Sequence, residues 1–256
     1  MGRRALLVLL TFTAAVAISL GMQDGDANAK IDADKLYNEA NSLLKSGNYA
    51  GAVEKYTQAI KLFKDDFKYY YQRGLALKNN KQLDDAIASF NEALRLKPDL
   101  TIGHNAAGSV FLLLRQFDNA IPSFTEALKY DKGLSQAKLG LVEAYAGKSQ
   151  ELLNAGKYDE ALSVLIQTSV EYPENSKIHL ILASAYNRTD EPKDAVEAAL
   201  SAIKFKNKGG KGAEYFELGL AYKKLGQKDK AREAFGKARK DAVYARNAQY
   251  ELDGLK

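Results

Sequence analysis

Residues 67–100 read FKYYYQRGLALKNNKQLDDAIASFNEALRLKPDL. The stretch divides into two short amphipathic helices joined by a polar turn, because apolar residues return at helical spacing on either side of Asn79-Asn80-Lys81-Gln82. Small residues carry the packing argument. Gly74 and Ala86 let the two helices cross closely, and Ala93 lets the second helix meet whatever follows it. Tyr70, Leu77 and Phe90 fill the space between. Pro98 has no N–H and cannot sit in a helix interior, so it ends the second helix. One such hairpin cannot bury its own apolar face, whereas stacked copies can.

Copies are present. The small residue of the second helix recurs at Ala52, Ala86, Ala120, Ala161, Ala195 and Ala231, at spacings of 34, 34, 41, 34 and 36. Spacing and residue types together resemble the tetratricopeptide repeat, whose pattern is W-x2-L-G-x2-Y, then A-x3-F, then P, over about 34 residues. In 67–100 the pattern departs at Arg73, which stands at the Leu position. The resemblance implies an all-α fold, an α-solenoid of about six helix-turn-helix repeats with a C-terminal capping helix. The expected units are 33–66, 67–100, 101–134, 135–175, 176–209 and 212–245, with the cap at 241–255. The fourth unit reads in two registers: Tyr145 fits when counted from Ser135, and Leu152 when counted back from Ala161. The offset of seven residues is close to two helical turns, so its first helix is expected to be longer with its buried face in phase. Ala199 replaces the usual aromatic of the fifth unit, and Lys208-Gly209-Gly210-Lys211 then forms a flexible link. In the cap, Tyr244, Ala248 and Leu252 share one face and Glu251 borders it.

The totals are those of an ordinary globular chain: 256 residues, 46% hydrophobic and 27% charged, which argues against global disorder. The absence of cysteine excludes disulfides, thiolate metal sites, a cysteine nucleophile and a lipid-bearing cysteine. At the N-terminus Arg3 and Arg4 precede the apolar run 5–20, and a small, polar segment ends in Ala27-Asn28-Ala29. This order reads as a secretory signal peptide over 1–29, with the mature chain starting near Lys30 outside the cytoplasm, in a periplasm or beyond. The alternative is an inner-membrane anchor formed by 5–22, slightly short for the roughly 20 residues of a spanning helix.

The resemblance also implies a binding surface. In the family, particular residues of each first helix face a concave groove. Here they are Tyr37 and Asn41, Tyr71 and Leu75, Asn105 and Ser109, Leu180 and Ser184, and Phe216 and Leu220. Aromatic and aliphatic surface mixed with amides suits a peptide: apolar groups supply burial and amides pair with its backbone. The competing reading is that the tyrosines pack along neighbouring helices. The clamp that some relatives use for chaperone C-termini is absent, since Tyr37, Gln72, Ile102 and Ala106 stand where its Lys, Asn and further cations are needed. Charge is uneven. Residues 204–240 hold twelve Lys or Arg and four Asp or Glu, a net of +8 in a chain of +5. Lys223, Lys224 and Lys228 are the candidate basic patch for an acidic partner or an anionic envelope surface, against the alternative of a solvated face.

No chemistry is expected. Ala146-Gly147-Lys148-Ser149 resembles a phosphate loop, but Val142 stands where the first Gly must be. The S-x-x-K strings at Ser42, Ser135 and Ser201 lack the partner motifs of an acyl-enzyme. His104 and His179 occupy one repeat position in non-adjacent units, which favours packing over a shared metal. Asn187-Arg188-Thr189 is a glycosylation sequon that matters only in a eukaryotic host. The expectation is a non-catalytic scaffold of the cell envelope, without cofactor, metal or nucleic acid, that binds a protein or peptide. A periplasmic chaperone or quality-control adaptor is the alternative. A recognition subunit of a peptidoglycan- or glycan-acting enzyme is the rival of another class.

Overall fold

The computed structural model describes residues 27–255. The expected export segment, and the alternative anchor at 5–22, therefore fall largely or wholly outside the described residues. Within them there are thirteen helices and no strand. Helix α1 spans 27–45. The rest are α2 (Tyr49–Leu62), α3 (Phe67–Asn79), α4 (Leu83–Leu96), α5 (Thr101–Leu113), α6 (Phe117–Tyr130), α7 (Ser135–Asn154), α8 (Tyr158–Glu171), α9 (Ser176–Arg188), α10 (Pro192–Phe205), α11 (Gly212–Lys224), α12 (Lys228–Ala238) and α13 (Ala245–Asp253). First helices α3, α5, α9 and α11 have 13 residues each, and α7 has 20, an excess of two turns. Among the described residues no helix is long and apolar enough to cross a membrane.

Each first helix ends in the same way. A residue in the left-handed region closes it: Gly47 (φ 81°), Lys81 (66°), Arg115 (57°), Gly156 (74°), Asp190 (64°) and Gly226 (71°). In five of these turns the next amide donates to a carbonyl five residues back, as from Asn48 to Leu43 at 2.9 Å and from Gln82 to Leu77 at 3.0 Å. At Gly47, Lys81, Gly156 and Gly226 the left-handed residue itself donates three residues back, as from Gly226 to Lys223 at 3.0 Å. This is the Schellman closure, which satisfies the last carbonyls of the helix and aims the chain into the second helix. Where a side chain caps the following helix it is Asn48, Asp66 or Asn175, each accepting from an amide of the first turn.

Within a pair, the crossing is set by side-chain size. A Cβ added to Gly74 would lie 2.5 Å from the Phe90 ring, one on Gly108 2.9 Å from Phe124, and one on Gly219 2.6 Å from Phe235. The same two positions hold Ala40 with Tyr56, Ser149 with Leu165, and Ala183 with Ala199 in the other pairs, all buried. A bulky ring therefore faces a glycine or an alanine, and smaller partners face alanine or serine, so the interior stays filled in every pair.

The chain forms two compact units, one of residues up to Leu114 with Ser123–Leu134, the other of Arg115–Pro122 with Ser135 onward. The first has Tyr56, Tyr69, Phe90 and Phe124 fully buried; the second has Leu153, Leu165, Ile178 and Phe235. In each unit first helices lie side by side: α3 touches α5 in one, and α9 touches both α7 and α11 in the other. Helix α13 closes the second unit against α12, burying Ala248 and Leu255.

Candidate protein-binding site

In each unit the expected groove residues fall on the first helices. In the first unit Tyr37 lies with its ring 5.8 Å from Tyr56 and 5.3 Å from Tyr69, and Tyr71 lies 5.9 Å from Phe90. Both rings are half-buried, so each packs against the core while keeping an edge exposed. Leu75 sits beside Tyr71 on the cluster built around Phe90 and Val110. Asn41 is not a free amide: its Oδ1 accepts from the buried Tyr56 hydroxyl at 2.6 Å, leaving its NH2 to donate. Burial first, and the neighbouring Tyr37 second, push the Tyr56 phenol well above its usual range. The Ser109 hydroxyl donates to the Asn105 carbonyl at 2.8 Å, within α5.

In the second unit Leu180 and Ser184 lie half-buried on α9, and Phe216 and Leu220 on α11. The Phe216 ring stands 5.6 Å from Phe235 and 5.6 Å from Tyr244, so the cap completes the wall of this face. Two residues here were not legible as a pair in the sequence. The Asn187 amide donates to the Glu217 carboxylate at 2.8 Å and to the Glu217 carbonyl at 3.0 Å, tying α9 to α11. Burial pushes the Glu217 carboxyl up, against the opposing bonds from Asn187 and Ser184 and the charge of Arg188. Asn187 is 7% exposed, so its sequon is closed to modification in the folded chain.

All three lysines expected as a basic patch are exposed, and two of them are also paired with acids of neighbouring helices or turns. Lys223 pairs with Glu251 of α13 at 2.6 Å, and Lys224 bonds the Asn187 carbonyl at 2.5 Å and Asp190 at 3.0 Å. Lys228 is exposed at the start of α12. The link after α10 is spanned by two bonds: Lys206 to the buried Glu214 at 2.7 Å and Lys211 to the Ile203 carbonyl at 2.7 Å. His104 and His179 play one structural part. Each ring nitrogen bonds the carbonyl of the proline closing the preceding pair, Pro98 at 2.8 Å and Pro173 at 2.7 Å, and each ring stacks on an aromatic residue. Among the described residues no three His, Cys, Asp or Glu are grouped to hold a metal.

Comparison with known proteins agrees with this geometry. One tetratricopeptide repeat model matches residues 37–100 and 146–210, and a second such model matches 215–238. Small glutamine-rich tetratricopeptide repeat-containing protein 2 of Saccharomyces cerevisiae is 28% identical over 91 residues, 36% of this chain and 26% of that protein. Photosystem I assembly protein Ycf3 of Acaryochloris marina is 38% identical over 72 residues, 27% of this chain and 43% of that protein. The matched stretches thus span less than half the length of either relative. Among solved structures, YrrB, described as a TPR protein with an unusual peptide-binding site, superposes with a TM-score of 0.54 at 19% identity. That superposition covers 77% of this chain and 99% of the other, and it is a likeness of fold.

Proposed function

Since the chain belongs to the tetratricopeptide repeat family, we propose that it is a non-catalytic scaffold that captures a peptide or helix of a partner protein on its first helices. One observation carries the reading. Tyr37, Tyr71 and Phe216 are packed from behind by Tyr56, Phe90 and Phe235 and keep an exposed edge. Such rings are held in place before a ligand arrives, so little side-chain freedom is lost on binding. The Asn41 NH2 can donate and the Ser109 hydroxyl oxygen can accept, which supplies partners for a peptide backbone. YrrB's described peptide-binding site, on a related fold, is consistent with this use. The setting we propose is the cell envelope, reached through the export segment at 1–29, on the strength of its basic start, apolar middle and Ala27-Asn28-Ala29 end.

Selection of binders from a random peptide library on the purified chain tests the reading. Selected peptides should lose at least tenfold in affinity on Leu75→Arg or Leu180→Arg and compete with one another within a unit. Peptides indifferent to both substitutions would remove the first helices as the binding face.

A further inference from the structure

The second unit also has a cleft lined by α10, α11 and α12. Helices α10 and α12 stand apart over α11 and leave a cleft of about 370 Å3. Its floor is apolar, made by Leu200, Ile203, Leu218 and Ala234, and Leu200 is 46% exposed. Its rim is cationic. Lys230 lies over the Tyr222 ring at 5.4 Å and Lys237 over the Tyr215 ring at 5.2 Å. Glu233 is the acid of the rim, and Lys237 pairs with it at 2.6 Å.

The same place in the first unit shows that this chemistry is not dictated by the repeat. There the cleft between α2 and α4 measures about 260 Å3 and carries different residues at equivalent repeat positions. Arg73 stands for Leu218, Ser89 for Ala234, Asp85 for Lys230 and Thr57 for Leu200. Its floor is closed by a polar bond, Arg73 Nε to Ser89 Oγ at 3.1 Å, and the Ser89 hydroxyl donates in turn to the Asp85 carbonyl. One cleft thus has a polar, hydrogen-bonded floor with Asp85 at its rim. The other keeps an apolar floor, and its rim residues Lys230, Glu233 and Lys237 lie in the 204–240 stretch of net charge +8.

We propose that the α10–α12 cleft binds an acidic peptide segment of a partner protein, one that inserts a large aliphatic side chain between Tyr215 and Tyr222. The volume is at the small end of ligand sites, suited to one or two side chains rather than a cofactor. Lys237 is already paired with Glu233, so the charge offered to a flanking carboxylate is that of Lys230, which is exposed at the rim and need not be buried to pair. This surface is separate from the first-helix face and adds a second contact to the proposed scaffold.

The test uses the full chain and three fluorescein-labelled octapeptides, read by anisotropy. One has Asp and Glu around two central leucines, one replaces the leucines by alanine, and one replaces every acid by Lys. The acidic leucine peptide should bind saturably, and the other two at least tenfold more weakly. Leu200→Thr and Lys230→Asp install the residues of the first unit's cleft at exposed positions, with folding checked by circular dichroism. Each should weaken the acidic peptide at least tenfold, while Leu180→Arg on the first-helix face does not. No saturable binding, binding indifferent to Leu200→Thr and Lys230→Asp, or loss on Leu180→Arg overturns the proposal. Tighter binding to phosphatidylglycerol vesicles than to the peptide, through Leu200 and Lys230, would assign the cleft to a membrane and overturn it as well.

Discussion

Replacing Gly219 and Gly236 by alanine, one at a time, makes the same chemical change in adjacent helices of one unit. The structure gives them opposite signs. A Cβ at Gly219 lies 2.6 Å from two carbons of the Phe235 ring, while one at Gly236 meets nothing within 4 Å. Carbon atoms are at their optimum near 3.5–4.0 Å, so the first contact is short by about 1 Å. Phe235 is fully buried and has no free space to withdraw into. Overpacking of this kind costs about 1–3 kcal/mol. Against it stands the helical gain of alanine over glycine, about 0.8–1.0 kcal/mol, much of it from the unfolded chain and common to both sites. Gly236→Ala should therefore stabilise by about 1 kcal/mol, and Gly219→Ala should lie about 1–3 kcal/mol below it. At roughly 2–4 °C per kcal/mol for a chain of this size, the pair should separate in thermal unfolding by several degrees. Urea midpoints should separate in the same order, compared only where the slope is unchanged, because repeat arrays can lose two-state behaviour. Adding Phe235→Leu to Gly219→Ala gives the ring's place to a smaller side chain, as Leu165 does opposite Ser149, and should recover part of the loss. Equal stability of the two alanine variants would refute the claim that ring-to-backbone contact sets the helix crossing.

Further outcomes follow from single residues. Lys81 is an exposed non-glycine residue at φ 66° with the strain of a left-handed L-residue, so Lys81→Gly should raise the unfolding free energy, read from denaturant titration, by a few tenths to about 1 kcal/mol. Glu217 has a carboxyl pKa raised by burial, so its protonated form favours the folded state and its contribution is lost as pH rises through the folded pKa. Glu217→Gln should accordingly flatten the stability profile from just above the ordinary glutamate range toward neutrality, in denaturant titrations at stepped pH. Lys206→Met should cost about 3 kcal/mol in denaturant unfolding, because it strands the Glu214 carboxylate, which is 2% exposed. Lys206→Met with Glu214→Leu should regain most of that, and no recovery would show that the pair does not hold the link.

The helical repeat was legible because its signal is local and repeated. Each pair must place small residues at its crossing and a proline or turn at its end, and a period in the sequence records both. The Gly74–Phe90 and Gly219–Phe235 contacts lie within single repeats and are visible as spacings of sixteen residues. What the sequence hid is of two kinds. Lys81, Arg115 and Asp190 do not advertise their left-handed backbone, since tertiary packing imposes it where glycine would signal it. The Asn187–Glu217 tie and the Lys223–Glu251 pair join residues 30 and 28 apart, and only the stacking of α9, α11 and α13 brings them together. That stacking also sets Glu251 and Asp190, both outside 204–240, beside the exposed Lys223 and Lys224. Glu251, which spoils the apolar stripe of the cap, is the partner of Lys223.

The first-helix face can be tested without knowing the partner, by photo-cross-linking in the native host. A benzoylphenylalanine placed at Ser109 or Ser184, on first helices, should give a discrete adduct with another protein. The same group at Ile166 or Val170, exposed on the second helix α8, should give none. Adducts from Ile166 or Val170 with none from Ser109 or Ser184 would contradict capture on the first helices.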